Sequence, residues 1–258
     1  MGKYLDMLLE FYKQSSMLYW WPKVKEVKVP KPKTYLIKLK ENEISKTLDW
    51  IHRGKLPSKY RNQLKKYGAK LGYPLFLRTD EFSNKWDFEN SCYITSVGQL
   101  EKHALALIEA SLFHDLAVRA FILREYIELD WKFKAFWGKL PIAPERRYII
   151  RNGMVVEHFP YWPEDAIRRP DREDWSKLLR EMNKETKEEV RLLTEYAEEI
   201  GRHIKGNWSV DFVRAKNGKW YFIDMAREEV SWKPSMKPRE KVSSNLFDFT
   251  KKLEEVGE

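Results

Sequence analysis

Two aspartates, Asp211 and Asp224, flank an Asn217-Gly218 pair, and their spacing is the feature of the sequence that most directly implies chemistry. The runs on either side, Trp208-Ser209-Val210-Asp211-Phe212-Val213 and Trp220-Tyr221-Phe222-Ile223-Asp224, have the composition of strands. Asn-Gly between two such runs is the strongest short-range hairpin signal and predicts a two-residue type I′ turn. In that register Lys216 opposes Lys219, Val213 opposes Phe222, and Asp211 opposes Asp224. Directly opposed residues have Cβ atoms about 4.5–5.5 Å apart, where two like charges destabilise unless something neutralises them. A hard divalent cation with carboxylate oxygen ligands does so. Two other readings stay open: one aspartate pairs with a nearby arginine, or a bulge shifts the register and separates the two.

A second Asn-Gly pair, Asn152-Gly153, joins Arg147-Tyr148-Ile149-Ile150-Arg151 to Met154-Val155-Val156-Glu157-His158. The same logic opposes Arg147 to His158 and puts Arg147, Ile149 and Arg151 on one face. Arginine at alternate strand positions is costly to bury without an anion, and a phosphate satisfies it bidentately. The plain alternative is an exposed sheet face with arginine in water. Arg78 and Lys85 bracket a polar loop, Arg78-Thr79-Asp80-Glu81-Phe82-Ser83-Asn84-Lys85-Trp86, suited to covering phosphates, although it matches no glycine-rich phosphate motif. Leu123-Arg124-Glu125-Tyr126-Ile127 ends an apolar run with a charged pair, readable as a crossing between lobes or as a structural salt bridge.

These residues need elements to hold them. Tyr4, Met7, Leu8 and Phe11 predict a short amphipathic first helix, followed by a Pro-punctuated extended lead-in from Trp20 to Thr34. Strands are predicted over Tyr35–Leu39, Pro74–Arg78, Cys92–Thr95 and Val118–Ile127, and helices over Glu43–Ile51, Ser58–Leu71 and Val97–Leu112. A helical stretch from Arg172 to His203, with Leu178, Leu179, Met182, Leu192, Leu193, Tyr196 and Ile200 inward, separates the two hairpins. The order implies an α+β protein of two lobes meeting near Ala120–Asp130: a lead-in over 1–34, a small lobe over 35–122 and a larger one over 123–258.

With 258 residues, 43% of them hydrophobic, the chain can bury a sizeable core, which excludes disorder for most of its length. Its net charge of +9 suits a polyanionic partner without choosing among nucleotide, nucleic acid and acidic protein. A charged fraction of 34%, rich in Lys and Glu, resembles that of heat-adapted cytosolic proteins. Cys92 is the only cysteine, so no intramolecular disulfide forms, and a buried structural role is expected of it. No apolar run approaches the ~20 residues of a membrane span, and acidic residues near the N-terminus argue against a signal peptide. The expected location is cytoplasmic. His114, His158 and His203 lack zinc-ligand spacing.

Taken in order, these segments resemble the ATP-grasp superfamily from about Pro30 to Met225. The entry Val29-Pro30-Lys31-Pro32-Lys33-Thr34, Arg78 and Lys85 at phosphate-binding positions, and Glu125-Tyr126-Ile127 at the adenine-binding hinge carry the likeness. Asp211 and Asp224 fall on its two magnesium-holding positions. Within the superfamily the chain is similar to a clade named for conserved Arg and Lys residues. It is also similar to the cell-division-cycle family that assembles translation initiation factor complexes. The resemblance implies an ATP-grasp fold and a Mg²⁺- and ATP-dependent ligase that joins a carboxylate to an amine, on a peptide or protein among other substrates. Asp211 and Asp224 would hold the metal, Lys85 and Arg78 would cover the phosphates, and Arg147 would stabilise charge on the transferring group. One departure stands out: the asparagine that many members carry two residues past the last carboxylate is Ala226 here, which leaves one metal, or Glu228 reaching in. Two rivals follow: an ATP-binding assembly factor without turnover, and a basic nucleic-acid-binding protein stacking bases on Trp20, Trp21, Trp137 and Trp162.

Overall fold

The computed structural model describes residues 13–234, so the helix expected over Tyr4 to Phe11 lies outside the described residues. The lead-in is not extended where it starts. Met17, Trp20, Trp21 and Val24 recur at helical spacing, all are buried, and they form one face of α1 (Met17–Val24). Ser16 caps it by accepting the Leu18 amide at 3.2 Å. Burial of four large side chains outweighs the amide that Pro22 lacks.

A first antiparallel sheet has the order β1-β4-β2-β3, from β1 (Thr34–Lys38), β2 (Leu75–Thr79), β3 (Tyr93–Ile94) and β4 (Ala120–Glu125). Its helices are α2 (Glu41–Ile44), α3 (Thr47–His52), α4 (Ser58–Leu71) and α5 (Leu100–Phe113). The single helix expected over Glu43–Ile51 is broken, and at the break the Thr47 hydroxyl donates to the Ile44 carbonyl at 3.0 Å. A small hairpin, β5 (Phe133–Ala135) with β6 (Leu140–Ile142), precedes a second antiparallel sheet of order β10-β9-β7-β8. That sheet comprises β7 (Glu145–Arg151), β8 (Met154–Pro160), β9 (Asn207–Arg214) and β10 (Trp220–Arg227). The helical stretch between the hairpins is two helices, α6 (Trp175–Met182) and α7 (Lys187–Gly201), because Thr186 restarts the helix by accepting the Glu189 amide. Its apolar face is as expected: Leu179, Met182, Leu193 and Ile200 are buried, and Leu178, Leu192 and Tyr196 pack beside them.

β4 joins the two halves. Phe121 and Leu123 face a core with Leu64, Leu77 and Leu107, while Ala120 and Ile122 face one with Trp20, Val210 and Phe222. A strand buried on both faces reads as a near-continuous apolar run, which the sequence shows here.

The two hairpins differ from the predicted registers. Asn152 and Gly153 both take positive φ, 51° and 85°, as a type I′ turn needs. A bulge between Ile149 and Ile150 then sets Arg147 opposite Phe159, and His158 opposite Tyr148. At the other turn Gly218 takes positive φ, 79°, and Asn217 does not. Hydrogen bonds Gly218 N–H to Ala215 O and Ala215 N–H to Lys219 O, 2.9 Å each, describe a three-residue loop with the glycine in the left-handed position. Val213 therefore faces Tyr221, and Arg214 faces Trp220. A bulge between Phe222 and Asp224 offsets that slip and restores Asp224 opposite Asp211.

Candidate functional site

Pairing of β7, β9 and β10 places Arg147, Asp211 and Asp224 side by side on three adjacent strands. Since β7 and β9 are inner strands, the first two are buried. Arg147 grips Asp211 bidentately, Nε to Oδ1 and Nη2 to Oδ2, both 2.7 Å. Burial works against the Arg147 charge, yet Asp211 outweighs it and holds the guanidinium more firmly protonated than usual.

Asp224 is met from the other sheet. Arg78, at the end of β2, donates from Nη1 to its Oδ2 at 2.7 Å, while Oδ1 accepts the Met225 amide at 3.1 Å. Burial pushes the Asp224 carboxyl up, but Arg78 and Arg124 together hold it below its ordinary range. Arg124, the residue before the hinge segment, donates to the Ile223 carbonyl at the bulge, and its Nη2 approaches the Met17 sulfur at 3.0 Å. Burial, and after it the neighbouring Arg78, bring the Arg124 guanidinium down to about 9. Arg124 and Glu125 do not pair with each other: Glu125 is exposed and accepts the Lys33 amide.

Lys85 completes the cluster. Its Nζ lies 3.5 Å from Glu145 Oε1 and 4.9 Å from the centre of the Tyr161 ring. Burial opposes its charge, but Glu145, Asp211 and Asp224 raise its pKa above the ordinary lysine value. Glu145 is itself buried, and burial raises its carboxyl despite Lys85. Arg78, Lys85, Arg124 and Arg147 thus stand against Glu145, Asp211 and Asp224, one positive charge in excess. A buried positive excess suits an anion such as a phosphate chain.

The structure therefore brings Arg78, Lys85, Arg147, Asp211 and Asp224 together. Tyr126 instead packs on Tyr93, ring centres 5.0 Å apart, with burial pushing its phenol up to about 12. Ile127 follows it along the chain, half-buried. The loop after Arg78 is tied down rather than loose: buried Asp80 accepts the Arg119 and Ala120 amides and the Ser16 hydroxyl. Glu145, Arg124 and Tyr161 were not expected in the cluster. Glu145 lies two residues from Arg147 on the same strand, and alternation alone puts the two on one face.

The aspartates face each other as predicted, but each is neutralised by an arginine, the first of the alternatives to a cation. Among the described residues no group of three or more His, Cys, Asp and Glu side chains is arranged to hold a metal ion. The donor chemistry nonetheless fits a hard cation. The Asp224 side chain is 32% exposed with lone pairs to spare, and Glu145 Oε1 is buried without a hydrogen bond. Ala226 supplies no side-chain donor. Glu228 does not reach in: Arg151 at 2.7 and 2.9 Å, and also Lys233, hold it and keep its carboxyl down at about 2. Cys92 is buried with its thiol pushed up to about 12, which suits a packing role and not a nucleophile. Of the tryptophans considered as stacking platforms, Trp20, Trp21 and Trp162 are buried, and Trp137 is 63% exposed.

Several known proteins share this fold. Residues 66–246 match the family profile of an ATP-grasp domain, family 3 of the clade named for its conserved arginine and lysine residues. No curated protein matches the chain in sequence. Among solved structures, Cdc123 from Schizosaccharomyces pombe is similar over 84% of this chain and 85% of its own, with 12% identity and a TM-score of 0.52. N5-carboxyaminoimidazole synthase from Aspergillus clavatus, in complex with ADP and 5-aminoimidazole ribonucleotide, matches 84% of this chain and 45% of its own, with 13% identity and a TM-score of 0.46. D-alanine–D-alanine ligase from Bacillus anthracis, complexed with ATP, matches 82% of this chain and 54% of its own, with 10% identity and a TM-score of 0.45. The chain thus spans about half the length of these two enzymes. At such identities the structural likeness concerns the fold, and the profile match over most of the chain concerns the family. The protein has the ATP-grasp fold and belongs to family 3 of the arginine/lysine clade of ATP-grasp domains.

Proposed function

We propose that the protein binds ATP at the cluster between its two sheets and uses it to join a carboxylate to an amine. One observation supports this above the others. Arg78 and Lys85 from the first sheet and its following loop, and Arg147 from the second, converge on Asp211, Asp224 and Glu145. Such a site neutralises a polyphosphate from both sides and can follow charge as it moves between bridging and terminal oxygens.

In the proposed reaction a substrate carboxylate oxygen attacks the γ-phosphorus, the bond to ADP breaks, and an acyl phosphate forms. An amine then attacks the acyl carbon and phosphate leaves, with the amine proton passing to solvent or a base. Lys85 and Arg78 would hold the phosphates, and Arg147 would neutralise the transferring group. Asp224 and Asp211 would hold Mg²⁺, with Glu145 beside them. When bound, that ion supplies charge neutralisation on the phosphate oxygens. Asp224 takes first place because its carboxylate is the more open of the two. Glu125, Tyr126 and Ile127 are proposed to line the adenine, and residues 35–122 and 123–258 to act as the two lobes.

Turnover of ATP by the full chain, with Mg²⁺ and a panel of carboxylates and amines, tests the reading. Asp224→Asn should lower turnover on the order of 10²-fold, the scale for losing one charge-stabilising group. Undiminished turnover in that variant rejects the assignment. The second reading, an ATP-binding assembly factor without turnover, is favoured by the missing donor at Ala226. It predicts ATP binding with no ADP formed against any acceptor. Base stacking is not favoured, since three of the four tryptophans considered for it are core. Among the described residues no helix is long and apolar enough to cross a membrane, and a cytoplasmic location is proposed.

A further inference from the structure

Beside the charged cluster lies a cavity of about 430 Å³ whose floor and walls differ sharply in chemistry. Lys85 and Arg147 form its floor, both standing over the ring of Tyr161, at 4.9 and 4.7 Å from its centre. Phe82, Trp86, Trp162 and Trp232 form its walls. The Trp86 and Trp232 rings are held by edge contacts, Trp86 on Phe136 at 4.3 Å and Trp232 on Phe159 at 5.7 Å. Both remain substantially exposed, 49% and 38%, so neither has completed its burial against the protein itself. Large flat apolar surfaces left open around a concavity mark a binding site more often than a packing site.

The floor has capacity for an anion. The nearest carboxylate oxygen to Lys85 Nζ is 3.5 Å away, longer than a charge-assisted hydrogen bond, which leaves the ammonium able to donate. Arg147 spends Nε and Nη2 on Asp211, and its Nη1 makes only a 3.2 Å bond to the Trp232 carbonyl. The volume lies toward the lower end of small-molecule sites, about 300–1,000 Å³, enough for one ring and its carboxylate and too small for a protein surface.

We propose that this cavity seats the acid that is activated, and that the acid carries an aromatic body: carboxylate on Lys85 and Arg147, ring against Trp86 and Trp232. This rests on the ligase reading only in calling the acid a substrate. The binding itself stands on the cavity. An aromatic ring is favoured over an aliphatic chain because four of the walls are π-faces or edges, which reward offset and edge-on stacking beyond area alone. Asp165 at the rim bears a negative charge, so the carboxylate end is drawn to the floor and the rest of the molecule faces outward.

Calorimetric titration of the full chain without nucleotide tests this, using N-acetylphenylalanine, N-acetylalanine and N-acetylphenylalaninamide as probes. The aromatic acid should bind about tenfold tighter than either the aliphatic acid or the uncharged amide, the scale of one well-packed ring and one ion pair. Trp86→Ala should abolish the aromatic preference and leave ATP binding intact, and Trp86→Phe should restore it. Equal affinity for aromatic and aliphatic acids, or a preference untouched by Trp86→Ala in a protein whose melting curve is unchanged, overturns the proposal. Full binding of the amide overturns the role of the floor. A heptapeptide ending in phenylalanine separates the two sources of the same chemistry. Binding equal to the free acid places the site at peptide C-termini, and weaker binding confines it to small acids. ATP binding measured on the same samples keeps failure of this proposal distinct from failure of the ligase reading.

Discussion

Arg147 and Asp211 form a buried, bidentate pair on neighbouring inner strands, and that is a poor way to gain stability. Desolvating two ions costs several kcal/mol each, so an apolar pair of the same shape would do as well. Its presence suits residues kept for a ligand. Arg147→Met alone should destabilise by about 3–5 kcal/mol, because Asp211 is then left buried and uncompensated. The double variant Arg147→Met with Asp211→Asn should recover most of that loss in urea unfolding while remaining unable to turn over ATP. If the double variant is as unstable as the single losses summed, the pair is a structural tie and no more. At this scale much was legible. Residue type and strand alternation single out Arg78, Lys85, Arg147, Asp211 and Asp224. Glu145 was not legible as a site residue, because Glu-Arg-Arg reads as a solvated run until β7 is known to lie between β8 and β9.

The bulge in β10 decides which face Asp224 takes. In the register of Val213 with Tyr221, Ile223 would oppose Asp211, and a one-residue slip turns a side chain to the opposite face. Two contacts hold the bulge: the Phe222 amide donates to the Pro30 carbonyl at 2.8 Å, and Arg124 donates to the Ile223 carbonyl. Arg124 is thus a positioning residue, so Arg124→Met should change stability by only about 1 kcal/mol, since it also removes a buried charge. It should weaken Mg²⁺-dependent ATP turnover at least about tenfold, roughly 1.4 kcal/mol, and unchanged turnover would show that Asp224 holds its place unaided. The predicted two-residue turn reached the correct Asp211–Asp224 pairing through two compensating errors, since neither the glycine-only left-handed turn nor the bulge is visible in Asn-Gly alone. Gly201 makes the same point for helices. Glycine near a helix end usually gains from alanine, by about 0.5–1 kcal/mol. Here a Cβ would meet the Gly153 Cα and carbonyl oxygen, both at 2.8 Å. Gly201→Ala should therefore destabilise by about 1–3 kcal/mol in chemical denaturation, the cost of overpacking against backbone.

Across the whole molecule, the question is whether the two sheets fold as one. The near-continuous apolar run through β4 showed that this strand is covered on both faces, but not by what. Its covers come from distant parts of the chain: α4 and α5 on one face, and α1 and the second sheet on the other. The second of those covers includes residues before β1, so the lead-in is part of the core around β9 and β10. Long-range pairing of this kind leaves no local pattern to read. Arg78 to Asp224 adds a polar tie between the same halves. It follows that damage on either face of β4 must reach both cores. Ile122→Ala and Leu123→Ala should each cost about 2–5 kcal/mol. Native-state hydrogen exchange should show each variant lowering protection by similar amounts at Leu64 in α4 and at Val210 in β9. Were Leu123→Ala to open only the α4 side and leave β9 protected, the halves would be separate folding units. The charged cluster would then depend on how often they meet. Equal loss on both sides would mean that the geometry of Arg78, Asp224 and Arg147 is fixed by folding itself, before any ligand arrives.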